Sequence, residues 1–132
     1  MTRAEIAAYI ENRYGAQAEY PWTAYPNFMV FRRGDNRKWF AVVMDIPKRK
    51  LGISSDEVID VINIKCDPLL LGSLRTSPGF YPAYHMNKAH WVTATLDGTI
   101  GQNEIKWLVD MSYDLAAPKQ RASRSAQKTN DA

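Results

Sequence analysis

Cysteine is almost missing from this chain: Cys66 stands alone among 132 residues. No disulfide can form within it, which fits a reducing compartment. Histidine is nearly as scarce, with only His85 and His90. The spacings of these three ligand-type residues match no zinc pattern, so no metal and no metal cofactor is expected. No apolar run approaches the roughly 20 residues that cross a bilayer. The opening "MTRAEIAAYIENRYG" also lacks the basic-then-apolar layout of a secretory signal. The expectation is a cytoplasmic protein with no membrane partner. The nucleophile elbow, the Walker loop and the dinucleotide fingerprint are absent too, so no residue is nominated as catalytic and no cofactor is expected.

Excess charge is missing from the body as well. The formal net charge is +3, yet residues 116–132 alone carry Lys119, Arg121, Arg124 and Lys128 against Asp131. The remainder holds thirteen basic and thirteen acidic side chains and is neutral. Nucleic-acid binding would therefore need a local basic cluster rather than bulk charge. The tail is short of apolar residues other than alanine and reads as disordered. The expected organisation is one domain over residues 1–115 and a basic tail over 116–132, acting as a monomer.

What the chain does contain is a run of well-signalled elements. Thr2 and Glu5 form a capping box at the start of a helix that Gly15 stops. "FMVFRR" (28–33) and "KWFAVVMDI" (38–46) read as strands joined by the turn "GDNR". A further short strand is expected around "QAEYPW" (17–22), held to a sheet edge by Pro21. "VIDVINIK" (58–65) is another strand, running into Asp67-Pro68, which caps a short helix lasting to about Ser77. "HWVTATL" (90–96) follows, and a last helix spans about 102–115 with Ile105, Leu108, Val109, Ser112 and Leu115 as its buried stripe. Tight turns between strands favour an antiparallel sheet, and the helices fit an α+β two-layer domain with helices on one face.

"YPWTAYPNFMVFRR", "KWFAVVMDIPKRKLG", "VINIKCDP" and "PGFYPAYHMNKAHW" occur in that order. Together they resemble the MmcQ/YjbR family of small bacterial proteins, over roughly residues 1–115. The resemblance implies a fold similar to the frataxin-like CyaY architecture, also described as a double wing. It also implies DNA binding, a role inferred for the family from its fold, and fold alone does not fix function. Frataxin-like iron binding is not implied, because it needs an acidic ridge and the first helix offers only Glu5 and Glu11.

Three functions stay open. The first is weak, salt-dependent contact with DNA phosphates without sequence preference. Arg32, Arg33, Arg37 and Lys38 at the first hairpin tip, Lys48, Arg49 and Lys50 in the next loop, and Asn87 with Lys88 would carry it. The second is a small-molecule site around Trp22, Tyr84, His85 and Asn87, and the third is a protein-docking surface using Trp22 and Tyr25. "PGFYPAYHMNKAHW" holds four aromatic rings in fourteen residues, so most of them must pack as anchors for a loop. Tyr81 and Tyr84 remain candidates for stacking on a base or ring. His85 and His90 are candidate loop residues that would not act as a pair. Cys66 reads as a core residue.

Overall fold

A computed structural model describes residues 1–119. Helix α1 (Arg3–Tyr14) starts at the expected capping box: the Thr2 hydroxyl accepts from the Glu5 N–H and the Glu5 carboxylate accepts from the Thr2 N–H. Gly15 ends it with φ 68°, the left-handed conformation that suits glycine. Strands β1 (Met29–Arg32) and β2 (Trp39–Pro47) form the hairpin, and β3 (Val58–Lys65) pairs antiparallel with β2. Helix α2 (Pro68–Arg75) is capped by the Asp67 side chain, which accepts from the Leu69 N–H. Strands β4 (Phe80–Pro82) and β5 (Trp91–Thr95) follow, then helix α3 (Gln102–Leu115).

The five strands make one antiparallel sheet in the order β1-β2-β3-β5-β4. Ile6 and Ile10 of α1, Leu71 of α2, and Ile105, Leu108 and Val109 of α3 pack on the face formed by Phe31, Ala41, Val43, Ile62, Ile64, Val92 and Ala94. All three helices thus cover one face, as the alternating strands and short turns lead one to expect. The opposite face carries a second apolar cluster of Phe28, Val30, Val42, Met44, Ile46, Ile59 and Val61. Loops and the short 3-10 turn Lys48–Leu51, instead of α-helices, cover that face.

Several expectations need correction. Phe80–Pro82 is not loop but a short edge strand, with Pro82 at its end, where a missing N–H is tolerated. The strand expected over 17–22 reduces to one bridge between Glu19 and Val30. Helix α2 ends at Arg75, short of Ser77, and Lys48–Leu51 is a 3-10 turn rather than plain loop. Leu115 is 45% exposed and does not belong to the buried stripe of α3. Ala116 is buried there instead, and its carbonyl accepts from the Asn36 amide. The rest of the basic tail, residues 120–132, lies outside the described residues.

Candidate functional site

The helix-free face owes its shape to one irregularity. The β1–β2 register shifts between Phe31 and Arg32, so Phe31 pairs with Ala41 while Arg32 pairs with Trp39. Phe40 is the extra residue and joins Ala41 in the helix-side core. Trp39 is thereby turned to the other face, as bulges commonly re-aim a side chain. There it meets Trp22 edge-on, with ring centroids 5.6 Å apart at 87°. Trp22 also packs edge-on against Phe28 at 5.9 Å, and Tyr25 stacks on Phe28 at 4.7 Å. These rings, with Tyr84, His85 and Met86 and the sheet residues Val42 and Met44, line a hollow of about 300 Å³.

Tyr84 is held there by a buried polar clamp. Its N–H donates to the Thr93 hydroxyl at 2.9 Å, and its carbonyl accepts from the Asn63 amide at 2.8 Å. Thr93 donates in turn to the Asn63 side-chain oxygen. Asn63 and Thr93 are cross-strand partners on β3 and β5, and both are fully buried. In such surroundings an unpaired polar group is costly, so the clamp fixes the loop in one geometry. The next residue, His85, has φ 57°, a left-handed conformation that L-residues seldom adopt. Its ring lies 4.1 Å from that of Tyr84. Partial burial raises the Tyr84 phenol above its ordinary pKa.

On the far side of Tyr84 and His85 lies a second hollow of about 340 Å³, lined also by Lys50, Leu51, Tyr81, Pro82, Ala83 and Lys88. The fold thus gathers Lys50, Tyr81, Tyr84, His85 and Lys88 at one place, and Trp22 at the adjoining one. Other sequence candidates are engaged elsewhere. Arg32 and Arg37 both pair with Glu19, each at 3.0 Å. Arg33 pairs with Asp35, donates to the Tyr113 carbonyl and lies 3.9 Å over the Tyr113 ring. Lys48 pairs with Glu57 and Arg49 with Asp56. Lys38 is exposed at the hairpin tip. The Asn87 side-chain oxygen accepts from the Ala89 N–H and shapes the turn before β5. His90 is exposed, just ahead of β5 and outside both hollows.

Cys66 is 2% exposed, its thiol donates to the Asp67 carbonyl, and burial raises its pKa above the ordinary value. It packs in the helix-side core. Among the described residues no group of three or more His, Cys, Asp or Glu could hold a metal ion, and no helix is long and apolar enough to cross a membrane. Trp39, Phe28, Met86, Asn63 and Thr93 were not among the sequence candidates. Strict alternation along β2 does not reveal where Trp39 points, because the bulge breaks it. Asn63 and Thr93, as polar residues inside apolar strands, were the available signal. A further groove runs along α3, lined by Trp107, Asp110, Met111, Asp114 and Leu115. One helix supplies every wall, which makes it an open furrow, with no second wall to enclose a ligand.

A family model described as YjbR matches residues 11–115. The Bacillus subtilis protein YyaQ, described as uncharacterized, is 36% identical over 115 residues, covering 87% of this chain and 98% of its own length. Escherichia coli YjbR, likewise described as uncharacterized, is 35% identical over 78 residues, 58% of each chain. A crystal structure of a Pseudomonas syringae protein is similar with a TM-score of 0.86 and 46% identity, covering 89% of this chain and 100% of that one. The Deinococcus radiodurans protein DR2400, with a domain designated DUF419, gives a TM-score of 0.67 at 27% identity, covering 86% of this chain and 77% of its own.

Proposed function

The chain belongs to the YjbR family, and on that premise we propose that it is a binding module for a flat, largely apolar small molecule, seated on the helix-free face. The observation that carries this reading is the hollow lined by Trp22, Trp39 and Tyr84, to which three separate segments of chain contribute. Small-molecule sites are concave and mostly apolar, with a few fixed polar groups. A preset wall lowers the ordering cost of binding, and the Asn63–Thr93 clamp supplies one. A neutral fluorescent probe, N-phenylnaphthylamine, tests the reading. Wild type should bind it, and Trp22→Ala should weaken binding by about tenfold through the loss of one ring contact. Binding that is indifferent to Trp22 would sink the proposal.

Contact with DNA phosphates is a second reading, favoured by the 3-10 turn Lys48–Leu51, which presents Arg49 and Lys50 to solvent on the side where Lys88 stands. The pairs Lys48–Glu57 and Arg49–Asp56 are at the surface. Such pairs contribute little, so phosphate oxygens can replace the carboxylates at small cost. Replacing Lys48, Arg49 and Lys50 by glutamate should then weaken binding to every duplex alike. It should also flatten the slope of log affinity against log salt by about 0.9 per lost contact. No measurable binding to DNA by wild type at about 50 mM salt, where such contacts are strongest, ends this reading.

A further inference from the structure

The hollow beyond the Tyr84–His85 wall differs in chemistry from the aromatic one. Lys50 and Lys88 line it, and no carboxylate lines either hollow. The neighbouring cations Lys48 and Arg49 are matched to Glu57 and Asp56, whereas Lys50 and Lys88 form no ion pair among the described residues. Tyr81 and Tyr84 add two phenol O–H groups. Neither hydroxyl has a hydrogen-bond partner among the described residues, although both side chains are half-buried. Two ammonium groups and two unused O–H donors, with no competing acceptor carboxylate, form a donor set that suits an oxyanion. The main chain is pinned at two of these residues. The Arg75 guanidinium donates to the Lys88 carbonyl, and the clamp fixes Tyr84.

We propose that the ligand of the aromatic hollow carries an anionic group, a carboxylate, sulfonate or phosphate, which reaches over the exposed His85 rim toward Lys50 and Lys88. This rests on the small-molecule reading and narrows it to ring-bearing anions. The two hollows adjoin at Tyr84 and His85, and His85 is exposed, so the route between them runs over that rim, with the ligand's ring against Trp22 and Trp39.

Two probes with the same rings separate the two ideas. Anilinonaphthalene sulfonate is in essence N-phenylnaphthylamine with an added sulfonate. Wild type should bind the sulfonate about tenfold more tightly, the size of one charge-assisted hydrogen bond. That advantage should shrink as salt rises. The double variant Lys50→Ala/Lys88→Ala should lose it while binding the neutral probe as wild type does, which also serves as the check on folding. Equal affinity of wild type for both probes overturns the anionic assignment and leaves the aromatic hollow standing. So does a double variant that keeps the sulfonate preference. If that variant also loses the neutral probe, Lys50→Gln/Lys88→Gln, which removes the charges and keeps the side-chain stems, takes its place under the same two outcomes. Binding of neither probe removes the hollow itself as a ligand site.

Discussion

Tyr84 has both backbone polar groups satisfied by side chains, the N–H by Thr93 and the carbonyl by Asn63. At the scale of single residues this makes Thr93 the most informative position. Thr93→Val keeps the shape but leaves the Tyr84 N–H without an acceptor and Asn63 without a donor. The change should cost about 1–3 kcal/mol in denaturant unfolding, and it should weaken binding of the naphthylamine probe because the wall is no longer pinned. Thr95→Val is the control: its hydroxyl contacts Asp97 and not the loop, so probe affinity should stay at the wild-type level. Single residues were also where the sequence spoke most clearly when the chemistry was local. The Thr2–Glu5 capping box and the Asp67 cap depend on neighbours two or three positions away, and both form. The partners of Tyr84 lie 9 and 21 positions away, and nothing local announces them.

At the scale of elements, α3 adds to its apolar packing on the sheet one buried hydroxyl that bridges two strands. Ser112 is fully buried, donates to the Phe40 carbonyl at 2.6 Å and accepts from the Lys65 N–H at 2.7 Å. Phe40 is the bulge residue, so Ser112 satisfies a carbonyl at the point where the ladder is interrupted. Ser112→Ala should destabilise by about 1–3 kcal/mol for each backbone group left unsatisfied, measured by chemical unfolding. Helices α1 and α3 meet at Asp110, whose carboxylate accepts from the Tyr9 and Tyr14 hydroxyls and pairs with Arg13. The Tyr14 phenol is pushed up from 10.0 to about 12, first by burial and then by its bond to Asp110. A raised phenol favours the protonated, folded form, so its contribution is intact below pH 10.0 and fades as pH climbs toward about 12. Unfolding curves across that window should show wild type losing more stability than Tyr14→Phe; equal losses would detach the effect from Tyr14. Strands β1, β2, β3 and β5 were legible because alternation and turn residues mark them. Strand β4 was not, because three residues containing a proline carry no periodic signal and their pairing partner is β5, about ten residues further on.

At the scale of the whole molecule, the α+β class and the one-sided helices followed from strand alternation, short turns and helix caps. The candidate binding face did not follow in the same way. It is assembled from Trp22, Trp39, Asn63, Tyr84 and Thr93, which meet only when the register and the bulge are known. The surroundings of the cations were hidden for a related reason: sequence shows where lysines and arginines are but not that Glu19, Asp35, Asp56 and Glu57 come to lie against several of them. The central claim is that the helix-free face, and not the furrow along α3, takes the ligand. The four tryptophans, Trp22, Trp39, Trp91 and Trp107, are distributed so that their indole N–H signals can report on it. Trp22 and Trp39 line the aromatic hollow and Trp107 lines the furrow. Titrating the labelled protein with N-phenylnaphthylamine and following those signals by proton–nitrogen NMR should move Trp22 and Trp39 together and leave Trp107 in place. Movement of Trp107 with Trp22 and Trp39 unchanged would contradict the account.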